Sequence, residues 1–333
     1  MTRQLLIITT VVLSLNASAI LKLNGAGASF PYAIYSKWIS EYSKSQEKVQ
    51  INYQSIGSGG GIRQLIKQTV DFAASDAPMR EKDKKKAAWP VLHVPTVLGA
   101  VVVAYNGKSI GNDLNIDGQV LADIFLGKIT KWNDQAIKKL NPKRNLPDQE
   151  ILVVRRADSS GTTSVFASYL ADVSEEWKSK VGVGKSLRWP TGIGAKGNEG
   201  VTALVKQTEY AIGYIDLAHA KKNGIYTVNL KNGAGEYIKA TVESISASAE
   251  SFKTSGDDFT VSVINQKTKG AYPISAFTYF LLPLKKEKDQ KISEVQNFFK
   301  WSLTKGQDFA APLYYAPLPM NVRKAVVKKL DSL

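Results

Sequence analysis

The residues best suited to bind a ligand lie close together in the run VVRRADSSGTT, residues 153–163. Four apolar residues, 151–154, predict a buried strand, and apolar and small residues at helical spacing after Gly161 predict a helix. The turn between them therefore lies at a helix N-terminus, where backbone N–H groups lack partners and the macrodipole is positive. Hydroxyl groups and a glycine let an anion approach these donors closely, and Arg156 adds a planar fork that suits a tetrahedral oxyanion.

This turn predicts an anion site, although the residues alone leave a second interpretation open. Ser160 could simply cap the helix, next to a surface ion pair of Arg156 and Asp158. The remaining predicted elements bear on the choice between the two interpretations.

Three further predicted strand ends carry polar residues. Ser29 follows an apolar, glycine-containing strand and precedes Pro31, which is tolerated in a first helical turn. Ser58 lies in IGSGGG, and Asp76 follows the short strand 70–74. Because ligands of open α/β sheets bind at the carboxyl ends of strands, we expect these side chains and Arg156 to face one cleft.

The glycine-rich turns argue against nucleotide-binding motifs. Residues 25–31 contain no GxGxxG, and the glycines after Ser58 are followed by Ile62 and Arg63 rather than by the Lys and Ser or Thr of a P-loop. A flexible turn is the alternative interpretation of IGSGGG, but glycine at four of five positions is destabilising without a functional reason.

The composition predicts an ordinary globular protein of two domains: 333 residues, of which 44% are hydrophobic and 22% charged. The formal net charge is +15, yet the lysines are scattered and do not alternate with aromatic residues. We therefore expect no nucleic-acid partner, whereas a basic surface would attract small anions toward a cleft.

The first residues resemble an export signal, with Arg3, an apolar run over 5–15 and a small-x-small site that ends at Ala19. The run is too short for a membrane span, which takes about 20 residues. We predict a signal peptide, residues 1–19, cleaved after Ala19. The chain contains no cysteine, so we expect no disulfide and no lipid anchor, and hence a protein free in the periplasm.

Two long apolar runs, 95–105 and 272–282, are candidate crossings between domains. Residues 121–131 predict a helix, and residues 226–269 give no clear pattern. Residues 189–200 are interpreted mainly as a connecting loop before a helix that begins at Val201, and a position at the border of the cleft is the alternative. Helical patterns end the chain, at 295–302 and 322–330.

The motifs GAGASFP, IGSGGG, DFAASDAP and VRRADSSGTTSVF occur in an order and spacing that resembles the periplasmic phosphate-binding proteins of ABC-type phosphate importers, the PstS family. LGKITKWND and WPTGIGAKGNEG fit the same pattern, and the resemblance runs from residue 23 to the C-terminus. It implies an α/β fold of the two-lobed, type II (Venus-flytrap) periplasmic binding proteins with two hinge strands. The expected lobes are 20–105 with 281–333, and 106–280.

The resemblance also implies a function, which is capture of inorganic phosphate between the lobes and its delivery to the membrane permease of the importer. We expect a monomer with no cofactor and no metal. The implied phosphate ligands are Ser29, Phe30 (through its backbone), Ser58, Asp76, Arg156, Ser160, Gly161 and Thr162. Ser29 replaces a threonine of many members but keeps the hydroxyl, and Asp158 would pair with Arg156 and orient it.

Asp76 is the informative residue of this set, since a carboxylate repels an anion unless the anion carries a proton to donate. Phosphate carries such a proton at neutral pH and sulfate does not, so we expect phosphate to be preferred.

The alternative functions are a binder of another, sulfate-like oxyanion and a phosphate-ester hydrolase. We expect no enzyme and no catalytic residue, because His93 and His219 lie in apolar or helical settings that suit structural roles.

Overall fold

The computed structural model describes residues 20–250, 259–287 and 289–333, so the predicted signal peptide lies outside the described residues. The strands are β1 (Leu21–Gly27), β2 (Val49–Ser55), β3 (Phe72–Ser75), β4 (Val91–Tyr105), β5 (Asn115–Ile116), β6 (Leu152–Arg156), β7 (Ile193–Ala195), β8 (Ala211–Asp216), β9 (Tyr226–Thr227), β10 (Asn229–Lys231), β11 (Tyr237–Ile238) and β12 (Ser275–Pro283). The α-helices are α1 (Tyr32–Ser45), α2 (Ser58–Ile66), α3 (Glu81–Lys84), α4 (Gly118–Phe125), α5 (Gln135–Leu140), α6 (Gly161–Val173), α7 (Glu175–Lys180), α8 (Gly197–Gln207), α9 (Leu217–Asn223), α10 (Val242–Ala247), α11 (Gln290–Leu303) and α12 (Met320–Asp331). Two 3₁₀ turns, Lys305–Phe309 and Ala311–Leu313, precede α12.

One long mixed sheet organises the chain, with the strand order β2-β1-β3-β12-β4-β8-β6-β7 and with β9 added to β4. A small second sheet has the order β11-β10-β5. β1 pairs in parallel with β2 and β3, and β6 pairs in parallel with β7 and β8. The two parallel sets are linked through the antiparallel strands β12 and β4.

Strand β4 belongs to both parts of the sheet. Its residues 91–100 pair with β12, and its residues 101–105 pair with β8. β4 is buried almost throughout, which explains its continuous apolar sequence. We call the strands on the β12 side, with the helices attached to them, the first half and those on the β8 side the second half.

The carboxyl ends of the two parallel sets meet near the middle of β4. In the first half Ser75, the last residue of β3, pairs with Tyr279, which pairs with Pro95. In the second half Asp216, the last residue of β8, pairs with Val101. The polar residues that follow these strands are therefore brought to one cleft, as the sequence analysis predicts.

Each half has its own aromatic cluster. In the first half Phe280 stacks on Phe299, at a centroid distance of 4.2 Å. In the second half Tyr214 stacks on Phe166 at 4.3 Å and on Trp189 at 5.7 Å. Rigid cores on both sides of the cleft hold the strand ends in place.

The bounds of one predicted helix need correction. The helix predicted over 121–131 is α4, which starts earlier because the Asp117 carboxylate caps the Val120 amide (2.9 Å) and ends before Gly127, whose φ is +77°. In the polar segment 226–269, the described residues form β9–β11 and α10. Among the described residues, no helix has the length and apolar character that a membrane span requires.

Candidate anion-binding site

The structure brings the predicted site residues together in the cleft between the halves. The polar side chains involved are each at most 3% exposed: Ser29, Ser58, Asp76, Arg156, Ser160 and Thr162. Phe30 is fully buried. Burying so many polar groups is unfavourable unless each has a partner, so their hydrogen bonds define what the cleft can hold.

Asn198 links the hydroxyl groups of the two halves. Its backbone N–H donates to Ser29 Oγ (3.1 Å), and its side-chain amide donates to Ser29 Oγ (2.9 Å) and to Thr162 Oγ1 (3.1 Å). The side-chain oxygen of Asn198, Oδ1, accepts a hydrogen bond from the backbone N–H of Asp216 (3.2 Å), which fixes the orientation of the Asn198 side chain.

These contacts decide where the hydroxyl protons point. A hydroxyl accepts two hydrogen bonds and donates one. Ser29 Oγ accepts twice from Asn198, and Thr162 Oγ1 accepts from Asn198 and from Arg156 Nη1 (3.4 Å). Each hydroxyl must therefore donate its own proton to another acceptor, such as an anion in the cleft.

Helix N-termini supply backbone donors on both sides of the cleft. Ser160 caps α6 by accepting from the Thr163 amide (3.1 Å), and the first-turn amides of Gly161 and Thr162 have no intrahelical acceptor. Ser58 begins α2 directly after Gly57, whose φ of +78° turns the chain into the helix. Such amides are typical ligands of oxyanions.

The turn between β1 and α1 is held from outside by two tyrosines. Tyr315 donates to the Phe30 carbonyl (2.7 Å), and Tyr53 donates to the Ala28 carbonyl (2.8 Å). Both bonds use carbonyl groups, so the turn is fixed without occupying the amides of Ser29 and Phe30.

Arg156 is held by a two-pronged ion pair. Its Nε and Nη2 donate to the two Asp158 oxygens at 2.7 and 2.5 Å, and Gly197 N donates to Asp158 Oδ1 (3.1 Å). Burial disfavours the charge on Asp158, but the Arg156 hydrogen bonds and charge outweigh it and hold the pKa of Asp158 below its ordinary value. The guanidinium is thus oriented and partly neutralised.

Asp76 is the carboxylate of the cleft. Thr278 Oγ1 donates to Asp76 Oδ1 (3.0 Å), and Ser58 Oγ lies 3.4 Å from Asp76 Oδ2. Burial raises the pKa of Asp76 to about 7, although the Thr278 hydrogen bond and the Arg156 charge oppose the shift. The group can therefore accept a proton near neutral pH.

Gly161 lies at a close approach of the two halves. A Cβ on this residue would lie 2.6 Å from Asp76 Oδ2 and closer still to Ser58 Oγ. Only glycine therefore permits this approach of α6 to the first half.

Sequence analysis missed three contributors: Asn198, Thr278 and Tyr214. Asn198 lies in the segment interpreted mainly as a connecting loop, which is instead β7 and the start of α8. Thr278 is one of two aliphatic hydroxyls in an apolar run, with Ser275, and was a usable signal because buried hydroxyls need partners. Tyr214 Oη contacts the Arg156 amide (3.1 Å) and Thr163 Oγ1 (2.7 Å), and no local pattern indicates this.

The comparisons with known proteins agree with this arrangement. The model of the PBP superfamily domain matches residues 14–305. The phosphate-binding protein PstS of Pasteurella multocida is 46% identical over 302 residues, which cover 90% of this chain and 87% of the relative. This chain belongs to the PstS family. The resemblance predicted from the motifs is therefore confirmed.

Solved structures confirm the expected fold. A high affinity periplasmic phosphate-binding protein (PfluDING) bound with phosphate superposes with a TM-score of 0.74 at 22% identity, covering 92% of this chain and 93% of the other. A putative phosphate ABC transporter substrate-binding protein with bound phosphate from Clostridium perfringens gives 0.66 at 17% identity, covering 90% and 100%. This PstS-family chain thus has the two-lobed α/β fold of the periplasmic binding proteins.

Proposed function

We propose that this chain is a periplasmic solute-binding protein that captures inorganic phosphate in its cleft and delivers it to the membrane permease of an ABC-type importer. The observation that carries the proposal is the composition of the cleft. Hydroxyl and amide donors from both halves surround it, together with one paired arginine and one buried carboxylate.

The proposed phosphate is dehydrated and held almost wholly by hydrogen bonds. Its ligands are Ser29, Phe30, Ser58, Asp76, Arg156, Ser160, Gly161 and Thr162, with Asp158 as the support of Arg156. The helix N-termini spread the compensating positive potential over many dipoles, so no second cation is needed. Since Asp158 already pairs with Arg156, the attraction is moderate and the anion can be released.

Asp76 sets the choice of anion in this proposal. Its ionised carboxylate accepts a hydrogen bond from the hydroxyl group of monohydrogen or dihydrogen phosphate, whereas sulfate would face it lone pair to lone pair. A site built around such a hydrogen bond rejects the analogue that lacks it by about 10⁴–10⁵.

The two lobes are proposed to be 20–105 with 281–333, and 106–280, and to close on phosphate by hinge motion. The change of partner of β4 between Ala100 and Val101 supports a hinge there. β12 pairs with the first half from Ser275 onward, which favours a return crossing slightly before residue 281.

The proposal includes a monomeric protein without cofactor or metal, exported by a signal peptide cleaved after Ala19 and without enzymatic activity. The hydrogen bonds of both histidines support the last point. His93 Nε2 accepts from the Met79 amide (3.0 Å), and His219 Nδ1 lies 2.6 Å from Asp216 Oδ2 at the start of α9. Both contacts suit structural roles.

Equilibrium dialysis of the mature protein with radiolabelled phosphate tests the function. We expect one tight site per chain and no turnover of a chromogenic phosphate ester. Displacement of phosphate by an equal amount of sulfate would indicate the oxyanion alternative, and steady ester hydrolysis by the pure protein would indicate the hydrolase. Absence of phosphate binding would refute the proposal.

A further inference from the structure

A basic groove of about 270 Å³ lies at the junction of the two halves. We call it the seam groove. Its polar lining residues are Arg63, Lys67, Arg80, Asp83 and Lys86 of the first half and Ser159 and Lys185 of the second, and Gly59, Ile62 and Ile66 complete the lining. Five cations against one carboxylate give it a formal charge of +4.

Most of this charge is not neutralised within the protein. Arg80 Nε pairs with Asp83 (2.8 Å). In the described ranges the structure gives no ion pair to Arg63, Lys67 or Lys86, all of which are exposed. Several like charges around one small groove repel each other, and a bound anion would relieve that repulsion.

Lys185 carries the charge of the second half into the groove. It is half-buried, and its Nζ donates to the Pro78 carbonyl of the first half (3.0 Å). Burial and the neighbouring Arg80 lower the pKa of Lys185 to about 8. An anion beside it would favour its charged form.

The groove lies next to the proposed phosphate site but is separate from it. Its floor includes Gly59 and Ser159, joined across the seam by a hydrogen bond from Gly59 N to Ser159 O (2.9 Å). The neighbouring residues Ser58 and Ser160 belong to the inner site. The only carboxylate in the groove, Asp83, is already paired, so nothing there rejects an anion that lacks a proton.

We propose that the seam groove is a second anion site, which takes a small tetrahedral dianion such as sulfate or phosphate and favours the closed arrangement of the halves. The preference for closure follows because Lys185 belongs to the second half and joins the four cations of the first half only when the halves meet. By linkage, an anion in the groove then tightens phosphate binding in the inner site. This coupling rests on the proposed function, whereas binding of the anion to the groove does not.

The test uses sulfate as the probe, at millimolar concentration and at constant ionic strength maintained with potassium chloride so that screening is unchanged. We expect sulfate to lower the phosphate Kd of the parent protein by about threefold, near the lower end of typical coupling between sites. Equilibrium dialysis with labelled sulfate, on protein both with saturating phosphate and without phosphate, should show one weakly bound sulfate per chain in the groove.

The double variant Arg63→Gln/Lys67→Gln should lose both the sulfate effect and the bound sulfate, while phosphate binding without sulfate stays close to that of the parent. Lys108→Gln, which removes an exposed lysine outside the groove, is the matched control and should keep both. An unchanged or weakened phosphate affinity in sulfate, or sulfate retention by the double variant, would overturn the inference. If phosphate does not bind but sulfate does, the proposed function is refuted, and the sulfate measurement still tests the anion site in the seam groove.

Discussion

At the scale of single residues, the cleft depends on where protons are placed. Asn198 occupies both lone pairs of Ser29 Oγ and, together with Arg156, those of Thr162 Oγ1, and so makes both hydroxyls donors toward the ligand. An anion site needs this arrangement, because a hydroxyl that is free to rotate would also accept hydrogen bonds from competing neutral ligands or from water.

Replacing Asn198 tests this role. Asn198→Ala removes one of the two hydrogen bonds that each hydroxyl accepts and leaves the Asp216 backbone amide without its acceptor. We therefore expect phosphate affinity to fall by about 10–100-fold, as for loss of one or two buried hydrogen bonds. Titration calorimetry measures the change. Asn297→Ala, an exposed position on α11, is the control, and equal affinity of the Asn198 variant and the parent would contradict the role.

The pKa of Asp76 predicts how sulfate competition depends on pH. Above the pKa of about 7 the carboxylate is ionised and repels sulfate, whereas below it the neutral carboxyl can donate its proton to sulfate. The inhibition constant of sulfate should therefore fall as the pH falls. Above the pKa of Asp76 it should change by up to about tenfold per pH unit, which is the limit when binding is coupled to uptake of one proton. Competition binding across neutral pH measures this, and a pH-independent inhibition constant would refute it.

The sequence predicts that the main polar residues meet in one cleft, because each of them lies at or just after the end of a predicted strand, where a turn begins. Asn198 and Thr278 could not be placed in the same way. Thr278 belongs to a strand whose position beside β3 is set by long-range pairing, and Asn198 reaches Ser29 only through the closure of two halves far apart in sequence.

At the scale of elements, the start of α6 is tightly constrained by the first half. Gly161→Ala places a methyl group against Ser58 and Asp76 when the halves meet, but it is compatible with a helix start. We expect phosphate affinity to fall by at least about a hundredfold while thermal stability without ligand changes little, since overpacking acts only in the closed form.

Gly184→Ala is the matched control, because its added Cβ would meet only ordinary contacts at 3.6 Å or more. Calorimetric titration and thermal melts of both variants measure the two effects. Full phosphate affinity in Gly161→Ala would show that the halves need not approach as closely as the structure indicates.

Elements with strong local signals could be predicted well. The end helices 295–302 and 322–330 correspond to parts of α11 and α12, and the apolar run 95–105 lies within β4. The end of α4 was predicted too late because Gly127 terminates it inside an apparently helical pattern. The short strands β9–β11 carry little hydrophobic periodicity, because they depend on pairing (β9 with β4, β10 with β5 and β11 with β10) rather than on a buried face of their own.

At the scale of the whole molecule, the contacts across the seam predict that phosphate holds the halves together. Small-angle scattering should therefore show a smaller radius of gyration after addition of phosphate, and Gly161→Ala should fail to compact. An identical radius with and without phosphate in the parent protein would contradict hinge closure.

The two-lobed fold could be inferred from the order of the motifs, but the exact division into lobes stays a prediction. Both long apolar runs are buried by neighbours on either side, so apolar character alone does not say where a strand leaves one half for the other.

The central claim is that Asp76 recognises a proton on the ligand, and the most direct test is sulfate competition against phosphate in the parent and in Asp76→Asn. The variant should fold, since the amide keeps an acceptor for Thr278 and removes a buried charge. We predict that the parent excludes sulfate by at least about a thousandfold and that the variant loses most of this preference. Equal exclusion of sulfate by both proteins would contradict the account.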